Sequence, residues 1–150
     1  MPGASSSAAD LTIEISRDLD VITAQIKSRR FAGSVGFQKR AQWEVAIAVS
    51  EAATNILKHG VRGRIRLAFY IANPPYLELV ASDEGEGFTS IERALKDRVS
   101  EGFDLRDNPR PGHRGLGLGL GAISRMMDEV ELGSGPDGGA VVRARKRLRR

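Results

Sequence analysis

The side chains able to do chemistry fall in three separated stretches. The first is VAIAVSEAATNIL, Val45 to Leu57, in which Glu51 is the only charged residue. A carboxylate in so apolar a run is costly unless it is paired or faces a cleft. Glu51, Asn55 and His59 follow one another at i, i+4 and i+8, which aligns them on one face of a helix. A carboxylate, an amide and an imidazole in a row can accept a proton, ligate a metal or a phosphate, and give polar support. The plainer alternative is that Glu51 pairs with a surface lysine and Asn55 is solvated.

The second stretch is DEGEGF, Asp83 to Phe88. Asp83 ends an apolar run, and a carboxylate at a strand mouth can accept a hydrogen bond from the exocyclic amine of a base. Gly85 and Gly87 then let the backbone pass close to a flat ligand. An ordinary acidic turn is the simpler alternative. The third stretch, Gly112 to Gly121, has glycine at five of its ten positions and leads into a helical pattern. Free N–H groups at such a helix start suit phosphate, and Arg114 just before it can bind a terminal phosphate bidentately. Gly117, Gly119 and Ala122 match G-x-G-x-x-A, but no strand precedes them, and no Gly-Lys-Ser/Thr marks a Walker A loop. A flexible hinge is the alternative here.

The elements that must hold these stretches follow from periodicity. Leu11, Ile13 and Ile15 alternate with polar residues as in a strand. Asp18 is placed to cap a helix whose apolar stripe includes Leu19, Ile22 and Ile26 and which ends near Gly36. A second helix runs from about Gln38 to Lys58, with Gly60 as its stop. Ile65, Leu67, Phe69 and Ile71 predict a strand, Asn73-Pro74-Pro75 a turn, and Tyr76 to Asp83 a second strand, so the pair reads as an antiparallel hairpin. A short helix is expected around Ile91 to Leu95 and a mobile loop over 96–114. A helix carrying Leu118, Ala122 and Met126 follows, and then strands Glu131 to Ser134 and Ala140 to Leu148. The order β-α-α-β-β-α-α-β-β implies an α/β two-layer sandwich, a mixed and mostly antiparallel sheet with helices on one face. Residues 1–10, rich in Ser, Ala and Gly, read as a disordered N-terminus.

Composition closes off other classes. With 150 residues the chain is expected to form one domain. It has no cysteine and only two histidines, His59 and His113, which excludes a disulfide scaffold, a thiolate–zinc site and a histidine metal cage. The longest apolar run, Leu67 to Ala72, is too short to span a bilayer, and the N-terminus lacks the features of a secretory signal. A soluble cytoplasmic protein with no membrane partner is the expectation. The net charge of +4 arises in the last eight residues, RARKRLRR, which hold six bases and no acid. The remaining 142 residues carry 17 bases against 19 acids. The basic end, 143–150, is read as the solvated end of a last strand; binding of nucleic acid is the weaker alternative.

Together the three stretches are far more specific than any one. An acid-x-x-x-Asn helix, an Asp-x-Gly-x-Gly turn and a Gly-x-Gly-x-Gly helix start, in that order, resemble the GHKL ATPase superfamily with its Bergerat ATP-binding fold. Glu51 to His59 resembles the N box, Asp83 to Phe88 the G1 box, and Gly115 to Leu120 the G2 box. The length and the segment SRMMDEVEL, Ser124 to Leu132, make the chain similar to the anti-sigma serine/threonine kinases of bacterial partner-switching systems, the RsbT/RsbW/SpoIIAB group. The resemblance spans residues 11–148 as one histidine-kinase-like ATPase domain.

The resemblance implies ATP and Mg²⁺ as cofactors. Asn55 would hold the metal, and Glu51 would serve as general base on a substrate hydroxyl. Asp83 would bind the adenine amino group, with Gly85, Gly87 and Phe88 shaping the purine pocket and His59 nearby. Gly115, Leu116, Gly117, Leu118, Gly119 and Leu120 would cradle phosphates, and Arg114 would stabilise charge on the γ-phosphate. Residues 96–114 would be the ATP lid. One position departs from the pattern: Gly139-Ala140 stands where the family often has Gly-Thr, so a hydroxyl that assists the adenine-binding aspartate is missing. The expected partner is a STAS-domain antagonist protein, with a sigma factor or a phosphatase as further partners and a homodimer compatible with the family. A non-catalytic ATP-binding switch that sequesters or activates such a partner is the alternative.

Overall fold

A computed structural model of the chain describes residues 6–59, 62–84, 120–135 and 139–149. Along it run β1 (Ala9–Ile15), α1 (Asp18–Ser34), α2 (Lys39–His59), β2 (Gly63–Tyr70), β3 (Tyr76–Asp83), α3 (Leu120–Met126), β4 (Glu129–Ser134) and β5 (Ala140–Arg147). The expected helix at Ile91 to Leu95 and the loop over 96–114 lie outside the described residues.

The strands form one sheet in the order β1-β2-β3-β5-β4. Every neighbouring pair is antiparallel, so the mixed sheet expected from the element order is corrected to a wholly antiparallel one among the described residues. The physical reason is that the helical excursions return the chain beside a strand running the opposite way. β1 begins at Ala9, opposite Phe69, two residues before the expected boundary.

Alternation decides the two faces. Ile13, Ile15, Ile65, Leu67, Phe69, Leu77, Leu79, Ala81, Val142 and Ala144 point toward the helices and are buried. Each large aliphatic among them contributes about 1.5–3 kcal/mol by leaving water. α2 covers their centre with Val45, Ala48, Val49, Ala52 and Ile56, and packs on β2, β3 and α3. Phe37, at the α1–α2 turn, meets Phe69 edge to face with ring centroids 6.3 Å apart.

The opposite face of the sheet carries charge. Arg66 pairs with Asp10 at 3.0 Å, Arg64 with Glu14 at 3.2 Å, and Arg145 with Glu78 at 3.0 Å. The hydrogen bond to Glu78 raises the pKa of Arg145, and that to Asp10 raises the pKa of Arg66, so both stay charged. The basic end is therefore strand, as expected. Arg143, Arg145, Lys146, Arg147 and Arg149 each have an acidic partner, and Arg150 lies outside the described residues.

α1 departs from expectation in two ways. Its N-cap is Arg17, and Asp20 rather than Asp18 satisfies the open end, accepting from the backbone N–H of Ser16 at 2.9 Å and of Arg17 at 3.0 Å. These two donors hold the Asp20 carboxyl below its ordinary value. Second, Leu19, Ile22 and Ile26 face away from the core. α1 buries Ala24, Ser28 and Ala32 instead. The small residues let α1 lie close against its neighbours, which larger side chains on that face would prevent.

Candidate functional site

α2 presents the first part of the site. Its apolar side is fully sunk, and the polar residues lie where that side meets the surface. Glu51 is half-buried and forms no ion pair among the described residues, so a surface pairing with lysine is not what places it. Asn55 is buried, only 8% exposed, and its carboxamide has no hydrogen-bond partner among the described residues. A buried amide left so is unusual and needs a reason. Its oxygen fits a hard cation or the phosphates such a cation holds. His59 is the last residue of α2.

The second part is reached through the register. The link 60–62 leads from α2 into β2, whose first residue, Gly63, pairs with Asp83 at the end of β3. The end of α2 and Asp83 therefore lie at the same end of the sheet. Two glycines make the close approach there. A Cβ on Gly63 would sit 2.1 Å from the Ser82 carbonyl oxygen, and one on Gly139 would sit 2.0 Å from that of Asp83. Only glycine allows the backbones to pass at these distances. A cavity of ≈ 320 Å³ opens here, lined by Gly63, Ser82, Asp83, Glu84 and Gly139 among others.

The missing hydroxyl at position 140 has a counterpart in the backbone. The Ala140 N–H donates to Asp83 Oδ1 at 3.3 Å, which orients the carboxylate from β5. Glu84 is fixed beside it by its N–H to the Arg62 carbonyl at 2.9 Å and by an ion pair with Arg62 at 3.1 Å.

The third part begins at Leu120, fully buried at the start of α3, and α3 packs against α2. Lys146 ties this helix down. It is the one inward-facing cation of β5, 8% exposed, and its Nζ donates to the Met126 carbonyl at 2.6 Å while pairing with Glu44 of α2 at 3.0 Å. One ammonium thus links β5, α2 and the C-terminal end of α3. Gly85, Gly87, Phe88, Arg114, Gly115, Leu116, Gly117, Leu118 and Gly119 lie outside the described residues.

Of the expected site residues, the fold thus relates Glu51, Asn55, Asp83 and Leu120 through α2, its neighbours and the strand register. The sequence marks Gly139-Ala140 only by a missing hydroxyl; the close approaches of Gly63 and Gly139 and the bond from the Ala140 amide were missed, because they depend on spatial proximity. Lys146 was missed as well, although its parity with Ala140, Val142 and Ala144 along β5 was a usable signal.

A two-layer fold of this kind, with an acid–amide helix beside a strand-end aspartate, defines a class of nucleotide-binding ATPase domains. Residues 17–146 match the histidine kinase-like ATPase domain, and the chain belongs to that family. Being an ATPase domain, it binds ATP. Within the family it is similar to the serine/threonine-protein kinase RsbT of Bacillus subtilis, with 30% identity over 139 residues, covering 91% of this chain and 96% of that one. It is also similar to the anti-sigma F factor of Thermoanaerobacter sp. (strain X514), with 31% identity over 107 residues, 69% of this chain and 68% of the relative. In fold it resembles a chain of the SiaB–SiaC complex from Pseudomonas aeruginosa, with a TM-score of 0.60 at 16% identity, covering 95% of this chain and 91% of that one. No helix among the described residues is long and apolar enough to cross a membrane.

Proposed function

We infer that this protein is an ATP-dependent serine/threonine kinase of a bacterial partner-switching system, acting in the cytoplasm on an antagonist protein with a STAS domain. The observation that carries the reading is Asn55, a buried carboxamide without a hydrogen-bond partner among the described residues, on the helix that also bears Glu51. Asn55 supplies a ligand for Mg²⁺, and the bound ion would neutralise charge on the β- and γ-phosphates. Asp83, oriented by the Ala140 N–H, accepts from the adenine amino group. Glu51, one helical turn before Asn55, receives the proton of the attacking hydroxyl. The hydroxyl oxygen bonds to the γ-phosphorus as the bond to the β–γ bridging oxygen breaks, and ADP leaves. Arg114 and the glycine run from Gly115 to Gly119 take the phosphates, by the family resemblance.

The test is transfer of labelled γ-phosphate from ATP to a candidate STAS-domain protein. Wild-type protein is expected to label it on serine or threonine, and Glu51→Gln is expected to bind ATP while losing about 10²–10⁴-fold in rate. Transfer at an unchanged rate by Glu51→Gln removes the base role. ATP binding with no transfer to any antagonist protein returns the chain to the role of a nucleotide-dependent binding switch.

A further inference from the structure

We propose that the groove between the end of α1 and the start of α2 is a second ligand site and that it takes a guanine nucleotide. A cavity of ≈ 340 Å³ opens there, lined by Arg29, Arg30, Lys39, Gln42 and Trp43. That volume takes a small molecule. Trp43 precedes Asn55 by twelve residues, about 18 Å along α2, so the groove is distinct from the site already described. Three of the lining residues are cations and none is an acid. None of the three cations forms an ion pair among the described residues. The arginines of β2 behave otherwise: Arg62, Arg64 and Arg66 each meet a carboxylate. The acids of α1 stand at its other end; Asp20, the nearer, is nine residues before Arg29, about 13 Å along the axis. Glu44, next to Trp43, is held by Lys146 at 3.0 Å and by Arg40 at 3.7 Å. The groove thus keeps a positive charge that nothing in the described chain answers, which suits an anion.

The two uncharged residues narrow the anion to one that carries a base. The Arg29 guanidinium lies 4.3 Å from the centre of the Trp43 ring, and Trp43 is 46% exposed, so a flat group can be laid against this pair. Gln42 Nε2 donates to the Phe37 carbonyl at 2.8 Å, which fixes the amide. A Cβ on Gly33 would come within 3.1 Å of that nitrogen, so glycine leaves the amide its place. Gln42 Oε1 receives no hydrogen bond among the described residues and stands as an acceptor. The groove therefore asks for a flat ring with acceptors for a guanidinium and a donor for a carbonyl oxygen. Guanine has both: its O6 and N7 take an arginine bidentately, and its N2 amine donates. Adenine presents an amine in place of O6, which a guanidinium cannot donate to. Arg30 and Lys39 remain for the phosphate. All five residues stand on or beside helices joined at the buried Phe37, so the site is formed before the ligand arrives.

Trp43 is the only tryptophan of the chain, so its fluorescence reports on the groove directly. The full chain, first saturated with a non-hydrolysable ATP analogue and Mg²⁺, is titrated with guanosine monophosphate. The expected result is a saturable change in emission below about 1 mM. Arg30→Glu and Lys39→Glu, both at exposed positions, should each weaken this binding by about tenfold to a hundredfold. Thermal melting and calorimetric binding of the ATP analogue, measured on the same samples, should be unchanged. Guanosine and inorganic phosphate should each bind about tenfold or more weakly than the nucleotide. Asp83→Asn should leave the guanosine monophosphate titration as it is. No saturable change by about 1 mM overturns the proposal, as does an affinity indifferent to both charge reversals. Inorganic phosphate binding as tightly as the nucleotide overturns it by removing the base. Displacement by the ATP analogue, or loss of the signal in Asp83→Asn, assigns the binding to the catalytic site and also overturns it. Because ATP-analogue binding is read separately, failure of this site and failure of the kinase reading remain distinct.

Discussion

Gly139→Ala removes no side-chain atom and adds one methyl group, yet it strikes the place where β5 meets the end of β3. The new Cβ would lie 2.0 Å from the Asp83 carbonyl oxygen and 3.1 Å from its carbon. Ordinary contact requires the two backbones to part by about 1 Å or more. Forced overpacking of this kind costs about 1–3 kcal/mol. The Ala140 N–H to Asp83 Oδ1 bond, 3.3 Å long already, cannot survive the separation, and a bond to a carboxylate contributes about 1.5–3 kcal/mol. Since both terms come from one displacement, the combined loss is about 2–4 kcal/mol. Gly133→Ala is the control: nothing lies within 4 Å of its would-be Cβ, and it should stay within about 0.5 kcal/mol of the parent. In urea, with a slope of about 1–3 kcal/mol/M, Gly139→Ala should lower the midpoint by about 1 M or more. It should also weaken binding of an ATP analogue, because Asp83 loses its orientation. Equal midpoints and equal nucleotide affinities for the two variants would refute the close approach and the role given to the Ala140 amide.

Three further outcomes are expected. Lys146→Met keeps the buried stem but strips the Met126 carbonyl and Glu44 of their shared donor; thermal melting should show a loss of about 1–3 kcal/mol. The backbone N–H groups of Ser16 and Arg17 hold the Asp20 carboxyl below the usual carboxylate range, so its contribution is present above that range and is lost as pH falls through the lower folded value. Stability measured against pH should accordingly lose part of its acid slope in Asp20→Asn. Asn55→Ala should lower affinity for Mg²⁺–ATP about tenfold or more by titration calorimetry while leaving the melting temperature of the nucleotide-free protein nearly unchanged, since its amide has no partner among the described residues to lose.

Much of the sheet was legible because alternation is a strong signal: Ile65, Leu67 and Phe69 face inward as their spacing requires. The register that joins Gly63 to Asp83 was not, since pairing depends on where the hairpin closes. Periodicity also located α1 but not the face it buries. Leu19, Ile22 and Ile26 satisfy a helical stripe as well as any core set, but the pattern says only that they share a face, not which surface covers it. Ala24, Ser28 and Ala32 make a weak apolar signal and yet form the buried side, because close approach rewards small residues. Capping shifted from Asp18 to Asp20 for a local reason: with Arg17 at the N-cap, Asp20 is the third helical residue, whose carboxylate reaches back to the backbone N–H groups of Ser16 and Arg17. At position 140 the sequence shows a lost hydroxyl, whereas the donor that reaches Asp83 belongs to the main chain and is invisible in residue identity.

The ladder of arginines and acids on the face of the sheet opposite the helices changes how the whole molecule looks from a distance. A sequence isoelectric point near 9.8 describes a chain whose excess cations are concentrated in its last eight residues, but folding lays Arg143, Arg145, Arg147 and Arg149 against Glu78, Glu129 and Asp128, and Lys146 against Glu44 on the helix side of the sheet. Opposite charges a few ångströms apart cancel beyond about a Debye length, so little of that excess projects into solution as a directed field. Polycation behaviour thus belongs to the denatured chain, and the native protein meets its surroundings with a strand that is basic in composition yet electrically quiet.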